Sequence, residues 1–281
     1  MKLDLHPRRF WKMILCFGVV QTLFTMSTVN YLAANEAEID KLSKDGLKLV
    51  LTGSPSSPVK VCKQEECERI GFPKGMHESI ANGYSEASLE DLTGDGIPEL
   101  ILTHAEEGSI NTCSAIYRYD SIRISFAKFK SISKPICNYT LEDSYIISRY
   151  RSGAKWHEDI YAIESGDPVL KVTDSCLGCD YIERTVHLLE DKVEHLLVTN
   201  DSNHNQRVPL STVVTSHKAI LYKAPSFDQA TTMYLVTGDK VILTDFTETE
   251  SNSFWYKIKY YTAKDKIIQA WISCDELDIC K

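Results

Sequence analysis

No GxSxG, HExxH, P-loop or glycine-rich nucleotide signature occurs in this sequence. Each missing pattern removes a chemistry: the activated serine, the helical zinc protease centre and the phosphate cradle. The 8 histidines are scattered. His157 and Glu158 are adjacent, and neighbours on a strand point to opposite faces, so they cannot form one acid and base pair. The reading is therefore a binding protein rather than an enzyme. Basic residues are also in deficit, with 31 Lys and Arg against 39 Asp and Glu and a formal net charge of −8. A field of that sign repels nucleic acid and anionic lipid and favours basic partners, so nucleic acid is excluded as a partner.

A long, dry hydrophobic run is missing as well. The most apolar stretch, Met13 to Val29, is interrupted by Gln21, Thr22, Thr25, Ser27 and Thr28, which makes it short and wet for a spanning helix. It follows Lys2, Arg8, Arg9 and Lys12 and precedes the small residues Ala33 and Ala34. Together these have the three-part form of a secretory signal, expected over residues 1–34. Cys16 lacks the small residues of a lipoprotein box before it, so a lipid anchor is not expected. Removal of the signal leaves 27 basic and 38 acidic residues, a net charge near −11, and no stable membrane span. The expected location is exported, periplasmic or secreted.

Eight of the 9 cysteines follow Cys16. An even number in an exported chain favours disulfides. Proximity in sequence suggests Cys62 with Cys67, Cys113 with Cys137, Cys176 with Cys179 and Cys274 with Cys280. The segment CLGC also has redox and zinc readings. A redox motif needs a strand before it and a helix after, and a zinc site needs a second pair at suitable spacing. Neither context accompanies it, and the compartment favours a bridge.

Length allows about two domains, and 43% hydrophobic residues with 14 Tyr, 9 Phe and 4 Trp make the chain globular. Short alternating or β-branched runs dominate: GLKLVLTG, PVKVC, AIYRYD, IRISFAKF, YIISRY, DIYAI, PVLKV, RTVHLL and VEHLLVTN. These are strand signals, and a hairpin is expected at AIESGDPVLKV, so the sheet is antiparallel. A short helix is expected at Ala34–Ser43 or near Lys63–Arg69. The polar stretch TNDSNHNQRVPLST reads as a linker, placed at 199–215. Asp201, Asn203 and Asn205 alternate there, but no Gly follows and the amides are neutral, so turn chemistry explains them. Asn138-Tyr139-Thr140 and Asn200-Asp201-Ser202 fit the glycosylation sequon.

From Ala219 onward five short strands are expected, at Ala219–Tyr222, Thr232–Val236, Lys240–Asp245, Trp255–Tyr260 and Ile267–Ile272. Gly238-Asp239-Lys240-Val241, Trp255-Tyr256-Lys257-Ile258 and Ala270-Trp271-Ile272-Ser273 resemble the turn and strand marks of a bacterial SH3 domain. The resemblance implies a small SH3-like β barrel over 216–281.

The segment SLEDLTGDGIPELIL sets Asp91, Thr93, Asp95, the carbonyl of Ile97 and Glu99 at alternate positions, with Gly96 at the sharp turn. Alternate oxygens that point inward are what calcium requires. An EF-hand needs a carboxylate where Leu102 stands, and PELILT reads as a strand rather than a helix. The loop is similar instead to the calcium loops of FG-GAP and VCBS repeats. It occurs once, whereas a multi-bladed propeller repeats its motif. The 35–198 region is therefore expected as an irregular propeller-like antiparallel β domain, with calcium as its cofactor.

The segment SRYRSGAKWHEDIYAI carries a glycine turn at Gly153 with a protruding Ser152, and Lys155, Trp156, His157 and Tyr161 are expected to be displayed just after it. Such a turn can plug a groove and set a hydroxyl and an ammonium against the carboxylates of a glycoside hydrolase. It resembles the SGxxY segment of bacterial C-type lysozyme inhibitors. It is closer still to a family of periplasmic inhibitors that protect bacteria from peptidoglycan-hydrolase effectors delivered by type IV secretion, a family that also carries one calcium-type loop. That resemblance implies an immunity protein, with Ser152, Gly153, Lys155, Trp156 and Tyr161 as contacts to a peptidoglycan hydrolase. The alternative is a protein that binds peptidoglycan itself through its SH3-like domain. The plain structural reading is a hairpin whose Trp and Tyr are core residues.

Overall fold

The computed structural model describes residues 47–51, 59–63, 66–70, 74–84, 86–104, 108–249 and 253–281. The expected signal at 1–34 and the first expected helix, at Ala34–Ser43, lie outside the described residues. Among the described residues, no helix is long and apolar enough to cross a membrane.

The chain is mainly β and antiparallel. Strands β1 (Leu47–Leu51), β2 (Val59–Lys63) and β3 (Glu66–Ile70) form one small sheet in that order. Where a helix is expected near Lys63–Arg69, the described residues are strand instead: Lys63 ends β2 and Glu66–Arg69 lie in β3. Cys62 lies opposite Cys67 in the β2–β3 pairing and is disulfide-bonded to it, which commits the segment to a hairpin. The helix α1 comes later, at Lys74–Ala81.

A second sheet contains β4 (Glu86–Glu90), β5 (Glu99–His104), β6 (Cys113–Asp120) and β7 (Ser125–Lys128), with the short β8 (Ile136–Cys137) paired to β6. Strand β5 is buried on both faces, which is why PELILT is a continuous apolar run rather than an alternation. Leu100 and Leu102 pack with Leu49, Met76 and Phe126. Ile101, pointing the other way, packs with Ile116, Ile136, Ile146 and Tyr161. The Cys113–Cys137 disulfide joins β6 to β8 at directly opposed residues.

The third sheet is a meander of β9 (Thr140–Glu142), β10 (Tyr145–Ser152), β11 (Lys155–Glu164), β12 (Asp167–Ser175), β13 (Tyr181–His187) and β14 (Val193–Thr199). The expected β11–β12 hairpin is present. Ser165 and Gly166 at its turn both have positive φ, of 53° and 80°, as a two-residue turn matched to strand twist requires.

The five strands expected near the C-terminus are all found: β16 (Ala219–Tyr222), β17 (Ala230–Leu235), β18 (Lys240–Glu248), β19 (Phe254–Tyr261) and β20 (Ile267–Ser273). The preceding β15 (Ser211–Val213) joins them, and the ladder runs β15-β18-β19-β20-β16-β17 around one apolar core. The expected barrel is not closed by strand pairing, because among the described residues the edges β15 and β17 are not paired with each other. The Thr215 N–H and hydroxyl, both donating to the Glu276 carbonyl, and a bridge between Val214 and Leu277 draw the β15 edge inward instead. The Cys274–Cys280 disulfide ties the turns that follow.

Residues 199–215, expected as a linker, are tied down along their length. Pro209 bridges Val198, Leu210 donates to the carbonyl of Leu197, and Leu243 donates to that of Leu210. The turn composition was read correctly, but it also conceals Arg207, which is 5% exposed. A buried guanidinium needs carboxylates and carbonyls around it, and these come from the sheet beneath.

Candidate functional site

Strands β10 and β11 pair without a break from Tyr145–Ala162 to Ser152–Lys155. The turn at their end is Gly153-Ala154, with Gly153 at φ +59°, a conformation that residues with a Cβ seldom adopt. Every residue from Arg151 to Trp156 is exposed. Trp156 is 39% exposed, whereas Trp255 is 1% exposed in the C-terminal sheet. Lys155 extends along the sheet to Glu183, with 2.6 Å between Nζ and Oε1.

Two neighbouring segments brace this tip. On the β10 side the Asn111 amide acts as a surrogate strand: its Nδ2 donates to the Arg151 carbonyl at 2.9 Å, and its Oδ1 accepts from Arg151 N–H at 2.8 Å. Asn138 holds that loop by donating to the carbonyls of Ile110 and Arg149 and accepting from Thr112 N–H. On the β11 side, Leu177 N–H donates to the Trp156 carbonyl at 3.2 Å. Leu177 belongs to the CLGC turn, closed by the Cys176–Cys179 disulfide.

Below the tip, strand register aligns four charges. Arg149 opposes Glu158, Glu158 opposes Asp174, and Asp174 opposes Arg184. Glu158 and Asp174 are fully buried, and their adjacency is tolerable only with cations on both sides. Arg184 binds Asp174 through Nε at 2.8 Å and Nη2 at 2.7 Å, and Arg149 Nε lies 3.3 Å from Glu158. Arg207 descends from the 199–215 segment between the two acids, reaching Asp174 at 2.5 Å and Glu158 at 3.2 Å. His204 is buried beside them. Its ring lies edge-on to Tyr145, and its Nδ1 is 3.8 Å from Glu142. Burial holds this imidazole below its ordinary range, with Glu158 and Glu142 opposing the shift and Arg207 and Arg184 reinforcing it.

The opposite face of β11 carries His157 and Asp159. His157 stacks on Tyr150, and Asp159 accepts from Thr173 at 2.8 Å and pairs with Lys134 at 2.6 Å. Burial disfavours the Lys134 ammonium, yet the bonds to Asp159 and Tyr150 outweigh it and hold the group well above the ordinary lysine range. His157 and Glu158 thus serve separate faces, as strand geometry requires.

Among the expected contacts, Ser152, Gly153, Lys155 and Trp156 share the exposed tip. Tyr161 does not join them. It is 2% exposed and packs with Ile101, Ile116 and Ile146, and burial pushes its hydroxyl up to about 12. The β11 strand runs inward from the tip, so a residue six positions after Lys155 lies in the core. Asn111 and Leu177 were not legible as part of this surface, since the Asn111 side-chain amide and the Leu177 N–H meet the tip's backbone only in the folded register. Both sequon amides are hydrogen-bonded: Asn138 as described, and Asn200 by donating to the Cys179 carbonyl at 2.6 Å.

The acidic loop is held by its own side chains. Asp91 accepts from the backbone N–H groups of Gly94 and Gly96, and Asp95 from Ile97 N–H. Glu99, 3% exposed, accepts from Leu92 N–H at 2.8 Å and from Thr93 Oγ1 at 3.2 Å. Burial first, and then the charges of Asp95 and Asp91, push the Glu99 carboxyl up to about 7 despite those bonds. Asp91, Thr93, Asp95, the Ile97 carbonyl and Glu99 offer the hard oxygen donors calcium takes, and a cation would relieve the repulsion on Glu99. Among the described residues, three or more acidic or imidazole groups do not converge as a ready coordination cluster, so the carboxylates would have to turn inward to bind an ion.

The C-terminal sheet presents one exposed aromatic ring above two buried ones, Tyr222 and Trp255. Phe227, 62% exposed, packs on Trp255 at 4.8 Å and Tyr222 at 5.9 Å between ring centroids. All four disulfides expected from sequence proximity are formed, which marks a chain that matures in an oxidising, exported compartment.

No protein-family model matches the chain, and no curated protein matches it. A solved structure described as "Structure of a Xanthomonas Type IV Secretion System related protein" aligns with 60% of this chain and 80% of its own, at 12% identity and a TM-score of 0.30.

Proposed function

We propose that the chain is an exported binding protein that inhibits a peptidoglycan hydrolase of lysozyme or secreted-effector type, as an immunity protein, by presenting the Ser152–Trp156 tip to the enzyme's groove. The observation that carries the reading is the exposed tip at the end of two long paired strands, with its backbone bonded to Asn111 on one side and Leu177 on the other. A rigid display lowers the entropy cost of binding. Arg151 and Lys155 place two basic groups at this tip on an acidic chain, and a groove lined by two carboxylates would take Lys155 over from Glu183. In the bound state the Lys155 ammonium and the Ser152 hydroxyl meet those carboxylates, while Trp156 packs on the groove wall and water is excluded. Calcium, held by Asp91, Thr93, Asp95, the Ile97 carbonyl and Glu99, would pin the β4–β5 connection as a structural cofactor.

The test is titration of lysozyme-like hydrolases with wild type and with a Ser152→Ala, Lys155→Ala double variant. Both side chains are exposed, so the variant retains the fold; inhibition is expected to fall at least tenfold, about 1.4 kcal/mol or more. Equal inhibition by both proteins removes the tip from the mechanism. The exposed Phe227 ring, seated on the buried Trp255 and Tyr222, favours a second reading, binding of peptidoglycan through the SH3-like domain. Sedimentation with purified peptidoglycan that is lost in Phe227→Ala supports that reading.

A further inference from the structure

The CLGC turn stands beside the hairpin tip, although it lies twenty residues away in sequence. The β11–β12 ladder ends at His157–Ser175, so regular pairing leaves the Trp156 carbonyl without a strand partner. The chain leaves the ladder at Cys176, whose φ of +64° is rare for a residue with a side chain, and Gly178 follows at φ +87°. This sharp turn aims Leu177 N–H back at the Trp156 carbonyl, and Cys179 N–H closes the turn on the Cys176 carbonyl at 3.0 Å. Asn200 anchors the far side through the Cys179 carbonyl. The Cys176–Cys179 bond spans this left-handed corner, and Cys179 is exposed.

We propose that the Cys176–Cys179 turn is a positioning element of the partner-binding surface: it fixes the backbone that carries Trp156, and the display is therefore sensitive to dithiols. The inference rests on the reading of the tip as the partner contact, but its structural half stands independently. Without the cross-link, Cys176 relaxes toward the common negative-φ regions and Leu177 turns away from the Trp156 carbonyl. Trp156 then loses its fixed exit direction, and a partner must order it on binding. The chemistry is ordinary thiol–disulfide exchange: an external dithiol is oxidised to its disulfide, and two electrons and two protons convert Cys176–Cys179 to two thiols.

The test compares wild type with a Cys176→Ser, Cys179→Ser double variant, each also in a Trp156→Phe background. Three quantities are read: exchange of the Leu177 amide, the Trp156 emission obtained by difference, and hydrolase inhibition. The expected result is Leu177 exchange about tenfold faster or more, a red-shifted Trp156 emission, and inhibition weakened by a similar factor with the remaining amides unchanged. Unchanged Leu177 exchange and Trp156 emission overturn the proposal whatever inhibition does. If both signals shift while even wild type inhibits nothing, the positioning role stands and the inhibitor reading fails. Should the double variant not fold, limited reduction of wild type with alkylation at Cys176 and Cys179 provides the same readouts.

Discussion

Replacing Arg207 with Met tests whether the segment between the two halves of the described chain is a latch or a tether. The Arg207 side chain is 1% exposed and binds two carboxylates that are 0% exposed, Asp174 and Glu158. It also donates through Nε to the Asp201 carbonyl at 2.8 Å and through Nη2 to the Ser202 carbonyl at 3.4 Å. Methionine preserves much of the stem's packing, so the change reports mainly on charge and hydrogen bonds. Removing one partner from a buried ion pair costs about 3–5 kcal/mol. Asp174 keeps both bonds from Arg184, while Glu158 keeps only Arg149, which is itself part-exposed. These residual partners set the expected loss near the lower bound, about 3 kcal/mol. Urea unfolding followed by tyrosine and tryptophan emission measures it, with the slope checked for a change in the denatured state. Adding Glu158→Gln removes one stranded charge, and the double variant should be more stable than the sum of the single effects by about 1 kcal/mol or more. A loss below about 1 kcal/mol for Arg207→Met, or strict additivity, would refute the claim that Arg207 latches the segment to the sheet.

Acidification should act through His204. Its folded pKa lies below that of the unfolded chain, so it contributes stability above the ordinary imidazole range that is lost as pH falls through it. Thermal unfolding at pH 8 and pH 5.5 should therefore show a smaller acid-induced drop in His204→Phe than in wild type; equal drops contradict this role. Calcium should raise the melting temperature of EDTA-treated protein, by about 2.7 kcal/mol of stability at a hundredfold excess over Kd. Asp91→Ala should abolish that response, and a calcium-insensitive wild type removes the ion from the account. Gly153→Val places a β-branched residue at φ +59° and should cost about 1–3 kcal/mol, read as a lower urea midpoint with unchanged slope.

Local chemistry was legible in the sequence where one strand or one turn decides it. The strands from Ala219 to Ser273 appear where apolar alternation and the breaks at Pro225 and Gly238 put them. The strand after Pro98 follows from the run Glu99 to Thr103, whose two-sided burial needs no alternation. Cysteine pairing by proximity succeeded because Cys62–Cys67 and Cys113–Cys137 are opposed across hairpin-like pairings. What depends on register between distant strands was not legible. The ladder of Arg149, Glu158, Asp174 and Arg184 uses four strands, and Arg207 lies in a stretch whose Asn, Asp and Ser content is typical of a turn. Tyr161 shows the same limit at the candidate site. Its motif position suggested a contact, but strand direction carries it into the core. Conversely, Asn111 joins the tip through an amide that substitutes for a strand, a role for which spacing offers no signal.

The most direct test of the central claim is a stoichiometric titration of purified protein into peptidoglycan-degrading hydrolases, with release of wall fragments as the readout. Inhibition of at least one lysozyme-type enzyme is expected to saturate near one equivalent and to weaken at least tenfold when Lys155 and Trp156 are both changed to Ala. A folded wild type that leaves every such hydrolase active, yet sediments with peptidoglycan, would contradict it.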